Sequence, residues 1–235
     1  MLPRVDEAKL SRQLEKVPLL SVLSPEQRAQ LARRMRPRRL KPEQAIFLQG
    51  DPGDCMYLLL EGTIRVVSET PSGREVTLTL LGAGSFFGDM ALLDGEPRSA
   101  STYAIEPCEL MVLYRADFFD FLQSYPPAAL NLLGFLSQRL RQANARIQDL
   151  ALLSARQRLA AVLCDLARRQ GTDVGDGVLL PRGVSHRVLA GLLGTTRETI
   201  SRMASEFRAE GMLEQNGRQI KVTSLDRLQQ VVEES

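Results

Sequence analysis

Two stretches of the 235-residue chain concentrate residues that can do chemistry. In FFGDMALLDGEPRSAS, Phe86 to Ser101, Asp89 follows a glycine, Arg98 follows a proline, and the hydroxyls of Ser99 and Ser101 come directly after. In RETISR, residues 197–202, two arginines bracket a glutamate and a serine. Arginine donates a bidentate pair to guanine O6 and N7, and glutamate accepts from cytosine N4. A face of arginine alone would suit phosphates and carry little sequence information, so an acid among the cations fits base reading. A solvated helix face with an i,i+4 Glu198–Arg202 pair explains the same spacing without any ligand.

The elements around RETISR favour the first explanation. Ser185 can cap a helix from His186 to Leu193, Gly194 permits a sharp turn, and Thr195 or Thr196 caps the next helix. At about 100° per residue, Ile200, Met203, Ala204 and Phe207 share one side, with Arg197, Glu198, Ser201 and Arg202 on the other. Two helices across a short glycine turn form a helix-turn-helix pattern. Asn216-Gly217, between the alternating residues of Leu213 to Val222, predicts a hairpin. In this wing, Arg218 and Lys221 either face phosphates or are plain solvated charges.

The elements around the first stretch are of another kind. Ser24 and Pro25 open a helix running to about Met35. Short β-type runs follow at Ala45–Leu48, Met56–Leu60, Ile64–Val67, Val76–Leu80 and Leu110–Leu113, with glycine turns between them, Ser72-Gly73 included. Such spacing predicts a small antiparallel barrel or roll. From Pro126-Pro127 to about Leu153 the period is helical. Leu133, Leu136, Leu140, Ala143, Ile147 and Leu150 form an a/d heptad seam, which favours a parallel dimer helix over a helix packed only within its own subunit. Leu152 to Ala155 is the expected hinge. A helix from Ala155 to Gln170 should end at Gly171 as its C′ residue. A loop to Gly177 and a short strand, Val178–Leu180, precede Pro181.

Composition narrows the function classes. Hydrophobic residues make up 44% and charged residues 25%, and the formal net charge is +2, so any nucleic-acid contact must come from a local patch. The N-terminal MLPRVDEAKL is charged and reads as no signal peptide. No apolar run approaches the roughly 20 residues of a membrane helix, so a cytoplasmic location without membrane contact is expected. Cys55, Cys108 and Cys164 are far apart and fit ordinary buried thiols. With His186 as the one histidine, and with no P-loop, metal-ligand set or nucleophile–base pair, the chain is not expected to be an enzyme or to hold a metal or cofactor.

A glycine-punctuated roll, a long dimer helix and a C-terminal winged helix-turn-helix, in this order, resemble the bacterial CRP/FNR family from about Leu20 to Val222. RETISR is the most specific motif. The resemblance implies an α+β chain with an effector-binding β-roll (jelly-roll) at 1–125, a dimerisation helix at 126–153 and a winged helix-turn-helix at 154–235. It implies a homodimeric transcription regulator with RNA polymerase as a partner, binding double-stranded DNA at an inverted repeat of TGTGA-like half-sites. Arg197, Glu198 and Arg202 would read bases, with Thr196, Ser201 and Arg218 beside them. Phe86 to Ser101 would be the family's phosphate-binding cassette, in which a helix start favours an anion and arginine pairs with a cyclic phosphate. By position, Gly88, Arg98 and Ser99 would hold the phosphate of an allosteric cyclic nucleotide, cyclic AMP first among candidates. Asp89 would meet the ribose 2′-hydroxyl. Two departures bear on the ligand. Asp89 stands where the cyclic-AMP binders usually have Glu. Ala143-Asn144 stands where a Thr-Ser pair reads the base, leaving Asn144 to do so. Arg139 would support Asp89 or the phosphate. The open alternatives are cyclic di-GMP as effector, a site without ligand in which Arg98 pairs with Asp89 or Asp94, and a nucleotide-sensing regulatory subunit whose winged domain binds protein.

Overall fold

The computed structural model describes residues 14–15, 17, 20, 22–70, 75–217 and 219–234. MLPRVDEAKL, the Ser72-Gly73 turn and Arg218 lie outside them. The chain divides into two compact units, residues 1–64 with 81–143, and residues 65–80 with 144–235. The division falls inside the long helix, not at its ends.

Strands β1 (Arg36–Leu40), β2 (Ala45–Phe47), β3 (Cys55–Glu61), β4 (Ile64–Glu69), β5 (Glu75–Leu81), β6 (Phe86–Phe87), β7 (Ser101–Ala104) and β8 (Cys108–Tyr114) make two four-stranded sheets, ordered β1-β8-β3-β6 and β2-β7-β4-β5. Every expected strand is present within a residue or two. β1, β6 and β7 add to them. RPRRL lacks an apolar run, yet it forms β1 because an edge strand pairs on one side only and so tolerates Pro37 and arginines.

β3 shows why its apolar run is unbroken. Cys55, Tyr57 and Leu59 join one core cluster with Leu40, Phe87, Ala104 and Val112, while Met56 and Leu58 join a second with Phe86, Met111 and Leu113. Successive side chains point to opposite faces, so a strand covered on both faces carries apolar residues throughout. The second cluster is capped by helices α1 (Pro25–Arg34), α3 (Arg115–Ser124) and the first turns of α4 (Pro126–Leu152), through Leu31, Phe118, Phe121, Ala128 and Leu132. Ser24 closes a capping box at α1, as expected. Helix α3 was not foreseen from RADFFDFLQS; two phenylalanines buried on the cluster, Phe118 and Phe121, hold it. A short helix, α2 (Asp89–Asp94), follows β6.

Along α4, Leu133, Leu140, Ile147 and Leu150 are each more than half exposed, and Ala143 is also exposed. Leu136 departs from this seam: it is half-buried against the helix-capped cluster of the first unit.

The second unit contains α5 (Ala155–Gln170), α6 (His186–Leu193), α7 (Arg197–Ala209), α8 (Leu225–Glu233) and the sheet β11-β12-β10-β9, built from β9 (Thr172–Asp173), β10 (Val178–Leu179), β11 (Leu213–Asn216) and β12 (Gln219–Val222). Its buried residues include Leu159 and Leu163 of α5, Leu189 and Leu193 of α6, Ile200 and Phe207 of α7, and Leu228 of α8. Two expectations need correction here. The Gly171–Gly177 loop contains β9, which pairs with β10. Gly171 is extended (φ −75°, ψ 155°) rather than left-handed. Glycine is needed there for space, since a Cβ would run into Val178 Cγ1 and the Ala167 carbonyl.

Candidate functional site

The Phe86–Ser101 stretch changes direction where Gly88, at φ 75°, turns the chain from β6 into α2. Asp89 is 2% exposed. Both of its oxygens accept from Arg139 Nη1, at 2.9 and 2.8 Å. Of the two roles open to Arg139, it takes support of the acid.

Arg98 is 4% exposed. Its Nη1 donates to the Gly88 carbonyl at 2.6 Å and its Nη2 to the Cys55 carbonyl at 2.7 Å. The guanidinium stacks 4.2 Å from the centre of the Phe47 ring and 5.9 Å from that of Tyr57. Phe47, Tyr57 and Phe87 form one aromatic group, the last two stacked at 5.2 Å. Burial, and then the bond from the Cys55 thiol, push the Tyr57 phenol pKa up, so it stays a neutral hydroxyl. Among the described residues no carboxylate pairs with Arg98, and its buried Nε has no partner. The anticipated pairs with Asp89 or Asp94 are not formed. Asp89 is taken by Arg139, and Asp94 Oδ1 accepts from the Glu96 N–H at 3.0 Å. A buried cation balanced only by carbonyls and ring faces is stabilised further when an anion arrives.

Sequence reasoning missed Gly53. A Cβ there would stand 2.9 Å from Arg98 Cζ and Nε, and one on Gly88 would stand 2.7 Å from Nη1. Both glycines let the guanidinium lie against bare backbone. Gly53 was legible only as a turn glycine, because its neighbour in space is 45 residues away in sequence. The two hydroxyls separate. Ser99 is exposed, with its Oγ 3.7 Å from Met90 Sδ, whereas Ser101 is buried on β7 and accepts from the Gln49 N–H at 2.9 Å. Asn144 is exposed on α4 and belongs to the second unit.

In the second unit the helix-turn-helix follows its capping residues. Ser185 Oγ accepts from the Val188 N–H, Gly194 adopts φ 63°, and Thr196 Oγ1 accepts from the Thr199 N–H at 3.2 Å. The back of α7 is buried: Ile200 and Phe207 are fully enclosed, and Met203 and Ala204 nearly so. Thr196, Arg197, Glu198 and Arg202 are exposed, and Ser201 is half-exposed. The Glu198–Arg202 pair is absent; Arg202 lies 3.6 Å from Glu206, which also faces Arg156 at 3.3 Å. The Asn216-Gly217 hairpin forms, with Asn216 opposite Gln219 and Gly217 at φ 60°. On the wing, Lys221 Nζ sits 2.8 Å from both Asp176 and Glu214, which raise its pKa, Asp176 most. Its charge is therefore balanced within the unit. His186 opens α6; burial, then Arg208 and Arg197, hold its pKa below the usual imidazole value, and its Nε2 is buried without a partner. Cys55, Cys108 and Cys164 are free, buried thiols, as expected. Among the described residues no helix is long and apolar enough to cross a membrane.

Comparison with known proteins finds two domain matches, the first of which also takes in residues 65–80 of the second compact unit. Residues 37–125 match the cyclic nucleotide-binding domain, and residues 157–231 match the Crp-like helix-turn-helix domain. The chain is 40% identical over 197 residues to the cyclic AMP receptor protein of Thermus thermophilus, covering 83% of this chain and 88% of that one. The Thermus thermophilus catabolite activator protein structure is 35% identical, with 92% of this chain and 98% of that one covered and a TM-score of 0.53. The c-di-GMP responsive global regulator CLP of Xanthomonas campestris is 26% identical, with 86% and 100% covered and a TM-score of 0.71. With a cyclic nucleotide-binding domain and a Crp-like helix-turn-helix in this order, the chain belongs to the CRP/FNR family of transcription regulators.

Proposed function

We propose that this regulator is a homodimer that reads an inverted repeat of TGTGA-like half-sites under the control of a cyclic nucleotide. The observation that carries the reading is α7: a helix anchored by Ile200, Met203, Ala204 and Phe207 that leaves Arg197, Glu198 and Arg202 open to solvent. Arg197 and Arg202 donate to guanine edges and Glu198 accepts from cytosine, with Thr196 and Ser201 beside the backbone. Arg218 serves phosphate on the wing. The chain works in three parts, an effector roll at 1–125, a dimer helix at 126–153 and a DNA-binding part at 154–235, with RNA polymerase as a partner. The bare leucine and isoleucine seam of α4 supports the dimer.

In the roll, Arg98 takes the cyclic phosphate, with Gly88 and Ser99 around it. Asp89, oriented by Arg139, meets the ribose, and Asn144 reads the base. The buried, carboxylate-free Arg98 supports this assignment. Cyclic AMP is the first candidate, given the Thermus thermophilus cyclic AMP receptor protein among the relatives. Cyclic di-GMP is the second, favoured by the likeness to the Xanthomonas regulator. The ligand acts by favouring the state in which two reading helices stand about 34 Å apart, one turn of duplex. It does so only as far as it binds that state more tightly, typically by about 1–3 kcal/mol of coupling.

Random-sequence selection followed by gel shift, with and without cyclic AMP, tests the reading. An enriched inverted repeat whose binding strengthens with nucleotide is the expected result. Reciprocity requires the operator to tighten nucleotide binding as well; equal nucleotide affinity with and without DNA overturns the switch.

A further inference from the structure

The roll holds a second set of cations that the cassette does not use. On β1, Arg36, Arg38 and Leu40 lie opposite Val112, Leu110 and Cys108 of β8. Leu40, Cys108, Leu110 and Val112 all belong to the core cluster that contains Cys55 and Tyr57. Directly paired residues share a sheet face, so Arg36 and Arg38 are on that face too. Arg39 alternates to the other face, where it pairs with Glu109 at 2.8 Å.

The geometry links these arginines to Arg98. Arg38 Cζ stands 5.9 Å from the centre of the Tyr57 ring, and its Nη1 is 3.5 Å from the hydroxyl. Arg98 Cζ stands 5.9 Å from the same ring centre. The two guanidinium groups are thus no more than about 12 Å apart, joined by a polar chain from the Tyr57 hydroxyl to Cys55 Sγ (3.3 Å) and on to Arg98 Nη2 (3.6 Å). Arg36, further along β1, stands 5.4 Å from the centre of the Tyr114 ring. Among the described residues none of the three forms an ion pair. An edge strand can carry inward charge merely to repel other edges. That role needs no aromatic platform shared with the phosphate arginine.

We infer that Arg38, with Arg36 beside it, is a second anion anchor of the effector pocket, suited to a nucleotide carrying one more phosphate or comparable anionic group than Arg98 alone can take. The inference rests on the reading of Arg98 as the phosphate anchor. Guanidinium forks on phosphate are strong and directional, so the second anchor discriminates by charge count rather than by base.

Calorimetry with cyclic GMP and cyclic di-GMP tests it, because the two share a base and differ in their number of phosphates. Binding is measured for the full-length protein and for Arg38→Ala, Arg38→Lys and Arg98→Ala, with thermal unfolding as the folding check. Arg38→Ala should weaken cyclic di-GMP by about tenfold or more and leave cyclic GMP within about threefold. Arg38→Lys, which keeps the charge but not the fork, should recover only part of the loss, and Arg98→Ala should abolish both. Equal losses for the two ligands, no loss for either, or a wild-type protein that takes only the mononucleotide would overturn the second anchor while leaving Arg98 in place. Increased aggregation of Arg38→Ala with unchanged cyclic di-GMP affinity would assign the residue to edge protection and overturn the inference as well. If the wild type binds cyclic AMP, cyclic GMP and cyclic di-GMP no better than Arg98→Ala does, the reading of Arg98 itself fails, and the second anchor falls with it.

Discussion

The roll and helix α7 each carry an arginine proposed to meet an anion, but they hold it in opposite surroundings. Arg98 is 4% exposed and fixed by two carbonyls and an aromatic face, whereas the Arg202 side chain is 72% exposed and pairs with Glu206 at 3.6 Å. The first is preorganised and desolvated, so its geometry can select a small ligand. The second is left open to solvent, which suits the proposed role of a surface that tests many sequences before one fits. On the proposed function, specificity in the roll would come from enclosure, and in the helix from a row of exposed side chains on a helix whose other side is buried.

Substitutions can break that contrast, and the largest effect should come from the anchor rather than from any reader. Phe207→Ala removes a fully buried ring beneath the reading face and should destabilise the winged part by about 3–5 kcal/mol, measured by thermal unfolding. DNA binding is lost with the fold. Arg98→Ala should leave folding intact but cost about 2–5 kcal/mol of nucleotide affinity, read by calorimetry. A response that survives this change would mean that the buried arginine is structural only. Arg197→Ala or Arg202→Ala should each cost about 1–3 kcal/mol and relax one base pair of the preferred site. A footprint and sequence preference that do not change would remove α7 from the reading role. Thr196→Ala deletes the cap of α7 and should cost about 0.5–2 kcal/mol of stability, with a loss of DNA affinity that follows the fraying of the first turn.

The smallest expected effect is on pH dependence. The folded winged part holds the His186 pKa below its ordinary 6.5. The unfolded chain therefore binds more protons in the window just below pH 6.5, and stability falls as pH drops through it. His186→Gln should flatten that slope in urea titrations between neutral and mildly acidic pH. A slope unchanged by the substitution would place its origin in carboxylates.

Helix α7 was legible in the sequence because its logic is local. Capping residues, a glycine turn and a 3.6-residue period lie within 23 residues, Ser185 to Phe207, and the buried and exposed sides fell where the period placed them. The wing hairpin was legible for the same reason, since Asn-Gly prescribes a tight turn. The seam of α4 was legible except at Leu136, whose partners come from elsewhere in the first unit. The surroundings of Arg98 were legible only as a set of candidates. Nothing near Arg98 in sequence tells that Cys55 and Gly88 carbonyls would hold it, that Phe47 would stack on it, or that Arg139 rather than Arg98 would take Asp89. β1 was hidden too, because arginine and proline argue against a strand until an edge position makes them tolerable.

By itself, then, the amino-acid order determined what depends on short-range periodicity and backbone preference: the helices that begin at Pro25, Pro126, Ala155, His186 and Arg197, the caps at Ser24, Ser185 and Thr196, and which side of α7 is apolar. Tertiary structure decided what depends on groups distant in sequence meeting in a desolvated space: the carboxylate-free burial of Arg98, the Asp89–Arg139 pair, the close approach over Gly53 and the alignment of Arg38 on Tyr57. The physical reason is that burial and charge compensation are properties of a neighbourhood, and a linear chain names the neighbours without saying who they are.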